Sequence, residues 1–219
     1  MKPVLFLGLA MTIACASSGS NSGTDASVDS GTDADTDNDS GSGGSGSGGV
    51  GGNAGAGGGE APPERVVFVT AAVRDADFDG LDGADALCAD EALAAGLAGE
   101  FKAWLSTLDS PVSNRLNQSA VPYVLVDGTR IADDWADLTD GSLLAPIDLD
   151  AMGQSRDLDV WTGTLPSGES YAVDDCAGYT SNNAGIMGLC GTTQSTGAAW
   201  SASQTPACSS RLRLFCFEQ

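Results

Sequence analysis

The sequence predicts an α+β domain, loop-rich in its second half and preceded by a long polar tether. Three observations lead there. An apolar, β-branched run at 65–70 and a second apolar run at 211–217 read as strands at the two ends of the globular part. Between them, GADALCADEALAAGLAGEFKAWL at 83–105 reads as an alanine-rich helix, a break at Gly96 and Gly99, and a short apolar strand. Past Gly141 the strands become brief and the turns frequent, as in a domain held by cross-links as well as by its core.

Of the 219 residues, the first 63 do not have the composition of a folded domain. Residues 1–14 carry one charge at Lys2 and an apolar run from Val4 to Ile13, too short to span a bilayer and typical of a signal peptide. The ending Thr12-Ile13-Ala14-Cys15 resembles a bacterial lipobox, with Thr12 departing from the usual Leu or Val. The favoured reading is cleavage and acylation at Cys15, which places the protein in the cell envelope as an outer-membrane or surface lipoprotein. Plain secretion with a free Cys15 is the alternative. Each buried acyl CH₂ contributes about 0.8 kcal/mol, so several chains on one residue make a lasting anchor. Residues 15–63 are Gly, Ser and Asp with almost nothing apolar, and cannot offset the entropy of ordering. A coil of that length spans roughly 35–40 Å. Its Gly repeats are not a phosphate loop, because no strand precedes them and no helix follows.

Residues 64–219 are enough for one core. Arg65 to Thr70 is the first strand. In the helix that follows, Ala84, Leu87, Cys88, Glu91, Ala92 and Ala95 recur at helical spacing, and Cys88 shares a stripe with Ala84, Ala92 and Ala95. Val121 to Val126 is a strand, and Asp127-Gly128 turns it into a hairpin with Thr129 to Ile131. Residues 133–140 read as a short helix that opens on acids and stops at Gly141. Brief strands are expected at 159–162, 176–179 and 197–200.

Five cysteines lie past Cys15, at 88, 176, 190, 208 and 216, in a chain without histidine or a CxxC pair. Disulfides in an exported protein fit this usage, and zinc does not. The segments GADALCADEALAAGLAGEFKAWLS, VPYVLVDGTRIADDWADLTDG, DVWTG, DDCAGYT and ACSSRLRLFCFEQ occur in an order that resembles endostatin, the C-terminal domain of certain collagens, and more closely the endostatin-like domains of bacterial surface lipoproteins. The resemblance covers about residues 66–219. It implies a C-type-lectin-like fold with nested disulfides, Cys88 to Cys216 outside and Cys176 to Cys208 inside. Cys190 has no counterpart in that pattern. It is a buried thiol, an intermolecular bridge, or a sign that the inner pairing differs. The resemblance also implies a non-catalytic adhesion module for a protein or glycan, as described for bacterial relatives toward matrix or host serum proteins.

Other properties of that family do not transfer. Its zinc site resembles a set of histidines, absent here, and its heparin site an arginine-rich face. Residues 64–219 carry 23 acids against 8 bases, a balance that repels heparin-like polyanions and nucleic acid. The carbohydrate-reading triplets of calcium-dependent lectins are absent too. Without histidine, Ser-His-Asp and Cys-His catalysis are excluded, and no carboxylate pair stands out by spacing; the chain reads as a non-enzyme without a cofactor. The one local metal candidate is Asp75-Ala-Asp77-Phe-Asp79-Gly-Leu-Asp82, followed by Asp85, which matches the first half of a calcium loop and would make the domain a calcium-dependent binder. Its twelfth position is Ala86 rather than a bidentate Glu, and a solvated acidic loop ending in helix-capping aspartates is the plainer reading. Trp104, Trp135, Trp161 and Trp200 read as core rather than as a sugar groove. Asn117-Gln-Ser119 fits a glycosylation acceptor without consequence in a bacterial-type lipoprotein. A purely structural envelope lipoprotein is the remaining alternative.

Overall fold

A computed structural model of the chain describes residues 63–219. The segments read as a signal peptide and a tether, and Cys15 between them, therefore lie outside the described residues. The domain is mixed α+β: a five-stranded sheet, a two-stranded sheet, one long helix, two single-turn helices and many ordered loops. The strands are β1 (Arg65–Val69), β2 (Phe101–Ala103), β3 (Tyr123–Leu125), β4 (Arg130–Ala132), β5 (Asp159–Trp161), β6 (Cys190–Thr192) and β7 (Phe215–Glu218). The helices are α1 (Gly80–Ala94), α2 (Val112–Arg115) and α3 (Trp135–Leu138).

The main sheet has the order β2-β7-β1-β3-β4. β1 pairs parallel with β3 and antiparallel with β7, placing Val66 opposite Val124 and Phe68 opposite Cys216. The last strand thus lies between β1 and β2, and the sheet cannot close until the C-terminus arrives. Both faces are covered, which is why β1 and β7 read as continuous apolar runs rather than as alternations. Phe68, Ala103 and Cys216 face α1, whereas Val67, Val69, Phe215 and Phe217 face a second core built on Trp104, Trp200, Tyr123 and Ile131. Trp104 packs on Trp200 and Phe217 at ring-centroid distances of 4.9 and 5.2 Å.

α1 begins three residues before the predicted start. Phe78 and Leu81 pack into the core and pull the turn inward, and Gly83 permits it, since a Cβ there would sit 1.7 Å from the Phe78 carbonyl oxygen. Ala84, Cys88 and Ala92 form its buried stripe. The helix closes where expected, on Gly96 with φ 74°, whose N–H donates to the Leu93 carbonyl at 3.1 Å while Leu97 N–H reaches the Ala92 carbonyl at 2.9 Å. From Cys88 a disulfide runs to Cys216, and a second joins Cys176 to Cys208; these are the pairings the resemblance implies. Asp85 clamps α1 to the end of β2. It accepts two 2.8 Å hydrogen bonds from Arg115 and one of 2.9 Å from Ala103 N–H.

Two of the predicted strands are not strands. Residues 176–179 form a left-handed turn, with φ of 52° at Cys176, 57° at Ala177, 69° at Gly178 and 60° at Tyr179. Apolar content at both ends of the segment mimicked a strand, but Asp175 accepts from Gly178 N–H at 2.9 Å, and Cys176 and Tyr179 are buried on the same side. Residues 198–200 form a 3-10 turn that drops Trp200 into the core beside Phe215. A buried polar network ties these loops to the sheet. Trp104 Nε1 donates to Ser201 Oγ at 2.8 Å, Ser201 Oγ donates to the Thr164 carbonyl at 2.7 Å, and Thr162 Oγ1 donates to the Ser201 carbonyl at 2.6 Å.

Left-handed backbone costs about 1–2 kcal/mol at a residue with a Cβ. Ala177 is exposed and bears that cost, so Ala177→Gly is expected to raise stability in urea denaturation by about 0.5–1 kcal/mol, against the usual direction for glycine. A chain ending at Arg213 is expected to lose near-UV circular dichroism altogether, because β1 and β2 then have no strand between them.

Candidate functional site: the cleft around residues 70 to 75

β1 ends at Val69, and the chain leaves the sheet as Thr70-Ala-Ala-Val-Arg-Asp75. In most loops such a segment would be mobile; here its backbone is held from several sides. Thr70 N–H donates to the Leu214 carbonyl and Thr70 Oγ1 accepts from Leu214 N–H, at 2.8 and 2.9 Å. Glu91 on α1 takes the N–H groups of Ala71 and Ala72, one on each carboxylate oxygen, at 2.7 and 2.9 Å. Arg74 and Leu212 exchange two 2.8 Å backbone bonds. Arg213 Nη1 donates to the carbonyls of Thr70 and Ala71, and Arg211 Nη2 to that of Val73 at 2.9 Å. Trp161 Nε1 donates to the Arg74 carbonyl at 3.3 Å.

Two adjoining depressions flank this loop. The first, of about 530 Å³, is lined by Ala71, Ala72, Val73, Arg74, Asp75 and Arg211. The second, of about 330 Å³, shares Ala71 and Ala72 and is walled by Ala94, Ala95, Ala151 and the exposed Met152. Its floor turn is fixed by Asp150, which is buried and takes the N–H groups of Met152 and Gln154 and the guanidinium of Arg156. Burial pushes the Asp150 carboxyl up, but the Gln154 N–H and Arg156 outweigh it, so its pKa lies below the ordinary aspartate value.

Charge is distributed unevenly over the domain. Of the eight bases past residue 63, five are ion-paired: Arg65 with Glu218, Lys102 with Glu100, Arg115 with Asp85, Arg130 with Asp133, and Arg156 with Asp150. Arg74, Arg211 and Arg213 make no ion pair among the described residues, and all three belong to this loop and its support. Burial, and then the nearby Arg156 guanidinium, lower the pKa of Arg213, whose Nε is buried without a partner. Asp75, the acid lining the first depression, accepts from Asp77 N–H at 3.3 Å and from Asn182 Nδ2 at 3.5 Å. This concentration of unpaired cations is the feature that sequence reading missed. Arg74 is separated from Arg211 and Arg213 by more than a hundred residues, and only the pairing of Arg74 with Leu212 brings them together.

The sequence-derived candidates fall elsewhere. Asp75, Asp77, Asp79 and Asp82 spread along a bend and the first turn of α1, with Asp79 at its N-cap in a left-handed conformation, while Asp85 is committed to Arg115. Among the described residues no three His, Cys, Asp or Glu side chains form a group able to hold a metal ion. Trp104, Trp161 and Trp200 are fully buried and Trp135 half-buried. Cys190 is a buried thiol, the first of the three readings its sequence position allows. No described helix is long and apolar enough to cross a membrane. The chain matches no protein-family model, and no curated protein matches it.

Burial, and then the field of Asp159, push the Cys190 thiol from 9.0 up to about 12. The folded state therefore keeps a proton that the unfolded chain gives up, and stability present below pH 9 is lost as pH rises toward 12. Tyr179, raised by its burial, acts in the same direction at higher pH. Urea denaturation of the wild type is expected to show stability falling from pH 9 to 10, with a shallower fall in Cys190→Ala. Removing the clamp on α1 by Asp85→Asn is expected to cost about 2–4 kcal/mol in the same assay, with added Ca²⁺ restoring none of it.

Proposed function

We infer that this is the binding head of a lipid-anchored cell-surface protein, an adhesion module that engages a protein or glycan without catalysis. The observation that carries the reading is the cleft beside residues 70–75. Three arginines without carboxylate partners surround a loop whose backbone is fixed on several sides, in a domain where acids outnumber bases 23 to 8. Arg211 and Arg213 support the loop through its carbonyls, yet none of the three like charges has a carboxylate within ion-pair distance among the described residues, and like charges held together lower stability. A rigid scaffold that presents loops is also where binding residues concentrate.

The finer fold reading, an endostatin-like domain of the C-type-lectin type, is supported by the sequence segments that resemble that family and by the bridges Cys88 to Cys216 and Cys176 to Cys208. The surface address rests on the lipobox-like sequence ending in Cys15 and on the polar tether behind it. Metabolic labelling with a clickable palmitate analogue is expected to tag the wild type and not Cys15→Ser. Protease treatment of intact cells is expected to remove the domain from the anchored protein. An unlabelled wild type that is released into the medium would overturn the anchored reading.

A further inference from the structure

The two depressions beside residues 70–75 share part of their lining and are unlike in character. Ala71 and Ala72 line both. On one side, Arg74 is exposed and its guanidinium donates no hydrogen bond to any described residue, Arg211 spends only Nη2, on the Val73 carbonyl, and the carboxylate of Asp75 accepts from Asp77 N–H and Asn182 Nδ2. On the other side, Ala94, Ala95, Ala151 and Met152 offer an apolar surface, with the Glu91 carboxylate turned onto the Ala71 and Ala72 N–H groups rather than into solvent. The backbone between the halves cannot rearrange cheaply, because Arg213, Leu212 and Leu214 all bond to it.

We propose that this cleft binds a segment of a partner protein that presents one carboxylate beside an aliphatic side chain, the carboxylate on Arg74 and Arg211 and the aliphatic group against Ala94, Ala95 and Met152. Charge and shape choose this occupant over others. A guanidinium with free N–H groups pairs best with a carboxylate, often in a bidentate fork. Polyanions and anionic bilayers meet the repulsion of the surrounding acids, so a single carboxylate is favoured over a dense run of them. A glycan offers at most an N-acetyl or deoxy methyl, less apolar surface than the aliphatic side chain the second half accommodates. The inference rests on the binding-module reading and narrows its partner to protein. Failure of palmitate labelling would leave it standing, and its own failure would leave a surface module that binds by another face.

The test is an NMR titration of the full chain carrying Cys15→Ser, with both disulfides formed and ¹⁵N label on backbone and arginine Nε. The probe is acetyl-Leu-Asp-amide, with acetyl-Leu-Asn-amide, acetyl-Gly-Asp-amide and inorganic phosphate in parallel. The expected result is saturable shifts at Arg74 and Arg211 Nε–H and at the amides of Ala72, Ala95 and Met152. The Asn probe should bind at least about tenfold more weakly, as loss of a charge-assisted bond requires. The Gly probe should bind several-fold more weakly. Arg211→Gln should weaken the Asp probe by about tenfold while the remaining spectrum keeps its dispersion, and Arg130→Gln, which removes a cation elsewhere, should leave binding unchanged. Equal binding of the Asp and Asn probes, shifts scattered over other faces, or an unaffected Arg211→Gln would overturn the proposal. So would phosphate matching the peptide in affinity and in shift pattern. A response that emerges only after deletion of residues 16–56 would assign the cleft to the chain's own aspartate-rich segment, and would overturn it equally.

Discussion

The covalent bond from Cys88 to Cys216 is the constraint on which the rest of the domain depends. It joins the buried stripe of the only long described helix to the strand that completes the sheet, across a sequence separation of 128. On the chain-entropy model, closing a loop of that size stabilises the fold by roughly 4–5 kcal/mol, and the inner bridge by roughly 3–4. Those amounts matter in a domain whose second half has few regular hydrogen-bond ladders and must be held by side chains. With α1 held on β7, the residues just before β7 are fixed against those just after β1. That juxtaposition is the source of the arginine cleft.

The same constraint explains where polar groups are tolerated inside. Ser106, Thr162, Thr164 and Ser201 are fully buried, yet they bond to one another, to loop carbonyls and to Trp104. Such a network is stable only if its members cannot drift apart. Exceptions lie nearby: Tyr179 Oη and Trp200 Nε1 are buried without partners, and the Cys190 thiol is buried close enough to Tyr179 to affect its titration. Strain at 176–179 belongs to the same region, where a left-handed turn aims both Cys176 and Tyr179 inward. Cross-linking and aromatic burial outweigh the local backbone preference there.

How much of this was legible from the residues varies with the range of the determining interaction. β1, the body of α1, β3 with its hairpin and the stop at Gly96 are set by local pattern, and the sequence reading found them. The helix starts three residues before the predicted Gly83 because Leu81 packs inward and the missing side chain of Gly83 admits the Phe78 carbonyl. Residues 176–179 and 198–200 looked like strands because apolar residues flank them, but their conformations are imposed by Asp175, the Cys208 bridge and the pocket that receives Trp200. The acids at 75–85 are clustered in sequence, but Asp85 is spent on Arg115. No sequence signal marked Arg74, Arg211 and Arg213 as a group, because only the sheet topology makes them neighbours.

Peptide mapping of the unreduced protein tests the clamp most directly. Digestion with thiols blocked is expected to yield one peptide pair carrying Cys88 and Cys216 and another carrying Cys176 and Cys208, with Cys190 alkylated only after denaturation. Recovery of Cys88 and Cys216 as separately alkylated peptides from native, unreduced protein would contradict it.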